Sequence, residues 1–170
     1  MRLSGLLHER DRAECRATCW RETFVTLAYL TDGMTTINNW RIVWTDSDVA
    51  HVQCIPTGDA VLELVKRLHA TERDVPPVVE IMKLPGDGPS LSIAVGHEET
   101  VLTFEETLDP PYYISIGETT RDSIGPLFIH GGQGVDHSAR NLIPWNLGLE
   151  ALLQFLTTGK RPCVVTWEEL

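Results

Sequence analysis

Hydrophobic residues recur at every second position along much of this chain, beginning with Trp40, Ile42 and Trp44. A period of two places these side chains on one face of a β-strand. Further segments of this kind follow, separated by turn-forming sequences such as PGDGP at 85–89. The strands predicted after the first are AHVQCI (50–55), 78–84, 91–95, VLTFEET (101–107), YYISIG (112–117), LFIH (127–130) and CVVTW (163–167).

Two segments have helical spacing instead. In TGDAVLELVKRLHA (57–70), apolar residues fall at i, i+3, i+4 and i+7, and Thr57 or Asp59 is placed to cap the helix. In PWNLGLEALLQFLTTGKRP (144–162), Pro144 fits the first helical turn and Gly159 fits a left-handed C-cap. Gly148 disfavours this helix by about 1 kcal/mol relative to alanine. The strands follow one another without helical crossovers, which predicts an α+β domain: an antiparallel β-sheet meander with two amphipathic helices packed on one face.

Residues 1–33 differ from the rest because they show no sustained period and contain five arginines and five acidic residues. We predict a poorly ordered N-terminal extension over 1–33, or an artefact of an upstream start, and a single domain over 34–170 that begins at Met34. The charged HERDRAECR segment lies where a signal peptide would have its apolar region, so we expect a cytoplasmic protein.

The four cysteines are Cys15, Cys19, Cys54 and Cys163. A disulfide scaffold requires more cysteines in a shorter chain, so reduced thiols are expected, with Cys54 and Cys163 as small core residues. No second ligand pair accompanies Cys15 and Cys19, and we therefore predict no metal and no cofactor.

The formal net charge of −10 comes entirely from the chain after residue 33, which has 14 − 5 = 9 basic and 24 − 5 = 19 acidic residues. Phosphate groups require positive partners, so this balance argues against direct binding of nucleic acid or of an anionic membrane. It favours a basic protein partner.

The glycine-rich stretch FIHGGQGVDHSARNLIPW (128–145) raises the question of an active site. No lysine follows the glycines and the predicted helix begins ten residues later, so neither a P-loop nor a dinucleotide fingerprint is present. We therefore interpret this stretch as a loop in which the glycines adopt positive φ angles at the turns. His130 and His137 lack further zinc ligands. Two alternatives remain open: a small enzyme that uses Asp136, His137 and Arg140, or a ligand-binding or scaffolding module.

Between residues 98 and 122 there are seven carboxylates and one basic residue, Arg121. They fall on successive turns and strand ends, so several are expected to share one edge, either as a solvated face or as an electrostatic docking surface. Tyr112 and Tyr113 lie among them, and tyrosine is enriched at interface hot spots. Because side chains alternate along a strand, at most one of the two tyrosines is expected to face a partner.

Two motifs in the second half of the chain resemble a known family. PPYYISIGE (110–118) and NLIPWNLGLEALLQFLTTGKRPCVVTWEE (141–169) are similar to the first-numbered family of immunity proteins from bacterial polymorphic-toxin systems, with the resemblance spanning residues 40–169. Gly148 stands where that family usually has a better helix former. The matching positions are Pro110, Pro111, Tyr112, Tyr113, Ser115, Gly117, Pro144, Phe155, Gly159, Arg161, Pro162 and Trp167.

The resemblance implies an antitoxin without catalytic residues that binds and neutralises a cognate secreted toxin used in competition between bacteria. Toxins paired with that family are often nucleic-acid deaminases, including deaminases of cytosine in DNA. An acidic protein would complement the basic substrate channel of such an enzyme. The residues predicted to bind the partner are Glu98, Glu99, Glu105, Glu106, Asp109, Tyr112, Tyr113, Glu118, Asp122, Asp136, His137 and Trp145.

Overall fold

A computed structural model describes residues 39–46, 48–86 and 88–170 of the chain. The predicted extension over 1–33 and the predicted start at Met34 lie outside these residues. The described helices are α1 (Gly58–His69), the 3₁₀ helix η1 (Ala139–Asn141) and α2 (Trp145–Thr158). The described strands are β1 (Trp40–Asp46), β2 (Val49–Ile55), β3 (Val78–Lys83), β4 (Ser90–Ala94), β5 (Glu99–Thr100), β6 (Leu102–Glu105), β7 (Tyr112–Ile116), β8 (Ile124–His130), β9 (Gln133–Ser138), β10 (Ile143–Pro144) and β11 (Thr166–Glu169).

Seven of these strands form one antiparallel sheet with the order β11-β7-β6-β4-β3-β1-β2. The predicted α+β class is therefore confirmed. The order departs from a simple meander because β1 lies between β2 and β3, so the connection through α1 passes over β1. Two further pairs, β5–β10 and β8–β9, lie outside the main sheet.

The main core lies between the two α-helices and one face of the sheet. Register places Ile42 beside Ile81, Ile81 beside Leu91, and Leu91 beside Phe104, so four strands contribute one apolar row. Phe155 of α2 meets this layer, with its ring centroid 6.2 Å from that of Phe104. The apolar residues that alternate along these strands therefore form a buried face of the sheet, as predicted.

The ends of the helices follow local rules with one exception. The Thr57 side chain accepts a hydrogen bond from the Ala60 amide at 3.3 Å and caps α1, and Gly159 ends α2 with φ of 66°. The prediction for Pro144 was wrong in detail. Pro144 belongs to β10 and precedes the helix, which begins at Trp145.

A second apolar cluster covers the opposite face of the sheet and includes Val78, Ile114, Phe128 and Leu142. The β8–β9 hairpin supplies Phe128, which is fully buried. Residues 131–138 were predicted to belong to a loop, but residues 133–138 form strand β9. The positive φ angles expected of the glycines are confirmed at Gly131 (58°) and Gly132 (81°), which form the hairpin turn.

Two expectations about cysteines and strand ends need correction. The last strand begins at Thr166, so Cys163 lies before it as an exposed free thiol. Cys54 is half-buried and disulfide-bonded, not a reduced core residue. Within the described residues, no helix is both long and apolar enough to cross a bilayer.

Candidate functional site

Negative charge concentrates at one end of the main sheet, where β1, β4 and β7 end and β3 and β6 begin. We call this region the acidic end. It comprises residues 46, 48 and 49, the segments 71–77, 95–101 and 117–123, and the β8–β9 hairpin, whose Ile129 amide donates a hydrogen bond to the Pro76 carbonyl at 2.9 Å. Its acidic residues are Asp46, Asp48, Glu72, Asp74, Glu98, Glu99, Glu118, Asp122 and Asp136.

The seven carboxylates predicted between residues 98 and 122 do not all lie together. Antiparallel strands alternate in direction, so successive turns fall at opposite ends of the sheet. Glu98, Glu99, Glu118 and Asp122 lie at the acidic end, whereas Glu105, Glu106 and Asp109 lie at the other end, where β6 leads into β7. The two groups are separated by the length of β6, about 10 Å at 3.3 Å per residue.

Three arginines at or near the acidic end are each bound to one carboxylate. Arg73 Nε lies 3.0 Å from Asp46 Oδ2. Arg121 binds Glu99 with both terminal nitrogens, at 2.5 and 3.1 Å, and this bond raises the pKa of Arg121. Arg140 pairs with Glu168. These arginines leave seven carboxylates of the acidic end outside ion pairs with described residues: Asp48, Glu72, Asp74, Glu98, Glu118, Asp122 and Asp136.

A polar cavity of about 930 Å³ opens at this end. Arg73 is held in its wall by hydrogen bonds from its Nη1 to the carbonyls of Leu68 (2.8 Å) and Thr71 (3.2 Å). Sequence reasoning missed the four carboxylates here, because Asp46 and Asp48 come near residues 72–74 only when β1 pairs with β3. The cavity is lined by Asp46, Asp48, Thr71, Glu72, Arg73, Asp74, Val75, Gly96 and Ile129.

The aromatic residues predicted to bind the partner are engaged within the protein. Tyr113 packs against the main core, with Arg161 3.8 Å above its ring, while Tyr112 lies on the other face and its hydroxyl donates to the Leu108 carbonyl at 2.7 Å. The alternation predicted for the two tyrosines is thus confirmed. Trp145 stacks on His69 with 3.7 Å between ring centroids.

The residues of the enzymatic alternative do not converge on a common point. Asp136 and His137 are consecutive in β9, so their side chains leave opposite faces of the hairpin. The Arg140 guanidinium is bound to Glu168. Across the described parts of the chain, no group of three or more His, Cys, Asp or Glu side chains is arranged to hold a metal ion.

Two histidines make the stability of the fold sensitive to mild acid. Burial, assisted by the charge of His97, lowers the pKa of His69, whose Nδ1 accepts a hydrogen bond from the Gly96 amide at 3.1 Å. Burial and the charge of His130, partly opposed by Asp136, lower the pKa of His137. The fold therefore favours both neutral imidazoles.

A lowered folded-state pKa contributes stability that is complete above the unfolded value of 6.5 and is lost as pH falls below it. We expect the difference in unfolding free energy between the wild type and a His69→Gln/His137→Gln variant to shrink from pH 7.5 to pH 5. Urea unfolding at several pH values measures this difference. A difference that stays constant over that interval would contradict the assignment of these two groups.

Comparison with known protein families gives a match over most of the chain. The sequence model of the family described as Immunity protein Imm1 matches residues 49–169. This span begins at β2 and ends with β11, and it includes both α-helices and the β8–β9 hairpin. No match was found among curated proteins.

Proposed function

The chain belongs to the Imm1 family of immunity proteins, and we propose that it neutralises a cognate secreted toxin domain by covering a basic surface of that domain. Membership in this family suggests a non-enzymatic role and implies a toxin partner. The proposed site of action is the cytoplasm of the producing cell, where an incoming toxin would reach its target.

The observation that carries the proposal is the concentration of carboxylates at the acidic end. Seven of them form no ion pair with a described residue, and the net charge of the whole chain is −10. Charged residues are depleted in the cores of protein interfaces, so these carboxylates would gain little from a neutral partner. A basic partner would be attracted by them and held in the correct orientation.

A toxin that acts on nucleic acid fits this chemistry. Enzymes that bind DNA neutralise phosphates with lysine and arginine, so the entrance to such an active site is basic. We therefore propose a deaminase of cytosine in DNA as the toxin class, with the acidic end set against the substrate channel. The family alone implies a toxin without specifying its chemistry.

Charge reversal at the acidic end tests the proposal. We expect Glu72→Lys/Glu98→Lys to slow association with the toxin about tenfold at low salt, because opposite charges steer the encounter. The effect should largely disappear at physiological ionic strength, where the Debye length is about 8 Å. The probe is the purified, catalytically inactivated domain of the cognate toxin, to be identified from the open reading frame next to that of this protein, and surface plasmon resonance measures the rates.

The matched control is Glu106→Lys/Asp109→Lys, which changes the net charge by the same amount at the opposite end of the sheet. All four side chains are exposed, so neither variant should disturb the fold. Equal slowing by both variants would show that net charge acts without regard to position. Absence of any binding by the wild-type protein would refute the proposed function.

A further inference from the structure

The β8–β9 hairpin has two faces with different environments. Register pairs Phe128 with Val135, and this face packs onto the sheet in the second apolar cluster. On the other face, which we call the outer face, Leu127 pairs with Asp136 and Ile124 pairs with Ser138. Only the face that carries Phe128 is therefore buried against the sheet.

The outer face exposes two branched apolar side chains. Ile124 is 75% exposed and Leu127 is 48% exposed. Leu127 lies over Gly134, because a Cβ at Gly134 would be only 3.3 Å from its Cδ1. Single apolar residues at a surface are ordinary, but neighbouring ones on one face of a strand pair form a patch that favours a partner.

This patch is continuous with the acidic cavity. Ile129 leaves the same face as Leu127, two residues further along β8, and lines the cavity together with Asp46 and Asp74. Asp136 lies beside Leu127, and Asp122 lies two residues before the start of β8. Neither of these two carboxylates forms an ion pair with any residue that the structure describes.

The hairpin is also held in a fixed position. The Ala139 amide donates to the Ser123 carbonyl at 2.8 Å, and the Ile129 amide donates to the Pro76 carbonyl at 2.9 Å. The first bond closes the base of the hairpin, and the second attaches β8 to the segment that precedes β3. A surface that is already ordered loses less conformational entropy when it binds.

From these observations we propose that the outer face of the β8–β9 hairpin is the contact surface for the toxin, with Ile124 and Leu127 as its apolar anchors. The inference rests on the proposed function and specifies its contact surface. The complementary surface of the toxin is an apolar depression bordered by lysine or arginine, which meet Asp122, Asp136 and the cavity. These anchors replace Tyr113 and Trp145, whose rings are engaged with Arg161 and His69.

A basic partner is favoured over a second copy of this chain by charge. A symmetric dimer through the outer face would bring Asp122 and Asp136 against the same residues of the other copy. Like charges placed together at an interface are strongly unfavourable. A toxin with a basic surface would instead place lysine or arginine against these two carboxylates.

Leu127→Ser is the decisive variant, and Leu153→Ser is its matched control because Leu153, on α2, is also 48% exposed. With the same inactivated toxin domain as the probe, Leu127→Ser should raise the dissociation rate about tenfold. Ile124→Ser/Leu127→Ser should raise it further, whereas Leu153→Ser should stay within twofold of wild type. Association rates should change little, and thermal melting confirms that all three variants are folded.

Each other outcome has a distinct meaning. If the toxin domain binds and the double variant dissociates at the wild-type rate, the inference is overturned while the proposed function stands. If wild-type protein does not bind the domain, the proposed function and the inference fall together. If light scattering shows a wild-type dimer that the double variant converts to a monomer without changing toxin affinity, a second copy occupies this face and the inference is wrong.

Discussion

Gly117→Ala is expected to reduce the free energy of unfolding by about 3 kcal/mol, the upper part of the usual range for overpacking. A Cβ at this position would overlap the carbonyl oxygen of Leu142. The obstacle is backbone, so it cannot move aside by rotating about a side-chain bond. The Gly117 amide already donates to the Arg140 carbonyl at 2.7 Å, which holds the two segments in close contact.

Gly117→Ala is also expected to loosen the segment that attaches the hairpin to the main sheet. Ser115 Oγ donates to the Asn141 carbonyl at 2.8 Å, and the Asn141 side-chain amide donates back to the Ser115 carbonyl at 2.9 Å. Together with Gly117, these buried bonds fix residues 139–142 against β7, directly after β9. Displacing this segment should therefore also weaken toxin binding.

Gly88→Ala is the control for this prediction, since a Cβ there meets nothing within 4 Å and the residue has no positive φ. Its effect on stability should be small, and loss of backbone freedom in the unfolded chain favours a slight gain. Urea unfolding of both variants measures the contrast. Equal stability of Gly117→Ala and Gly88→Ala would show that the Leu142 carbonyl is not an obstacle.

These contacts give a physical reason for part of the PPYYISIGE motif. Ser115 and Gly117 both act on a segment about 25 residues later in the chain. The sequence shows that these residues resemble a family pattern, but it does not show what they contact. Their role becomes visible only when β7 and η1 are placed side by side.

Local periodicity predicted the elements that have one clearly apolar face, such as β1, α1 and α2. It did not predict β9, whose sequence QGVDHS at 133–138 contains a glycine and only one apolar side chain, Val135. That strand forms because β8 pairs with it through a two-glycine turn. Pairing with a neighbour, not a pattern of its own, determines its conformation.

The candidate site shows the same limit. The excess of carboxylates is visible in the sequence, and their division between two ends of the sheet follows from the alternating direction of antiparallel strands. The cavity is different, because Asp46 and Asp48 approach residues 72–74 only through the pairing of β1 with β3. The sequence also does not show that Trp145, one of the predicted contact residues, stacks on His69 within the protein.

Gly148 is the residue for which sequence reasoning and structure disagree in sign. Helix propensity alone predicts that Gly148→Ala would stabilise α2 by about 1 kcal/mol. In the structure, Gly148 is buried against β5, and a Cβ there would overlap the Cγ2 methyl of Thr100. The close approach of helix and strand requires the missing side chain.

We therefore expect Gly148→Ala to destabilise the protein by about 2 kcal/mol, because the overlap outweighs the gain in helix propensity. Thr100 cannot simply rotate, since it is fully buried and its hydroxyl donates to the Ala94 carbonyl at 2.7 Å.

Thr100→Ser removes the methyl and keeps this hydroxyl. In the Thr100→Ser background, Gly148→Ala should be neutral or stabilising by up to about 1 kcal/mol. A double-mutant cycle by urea unfolding measures the coupling, which is expected to be about 2 to 3 kcal/mol. If Gly148→Ala has the same effect in both backgrounds, the Thr100 methyl is not what excludes a side chain from this helix.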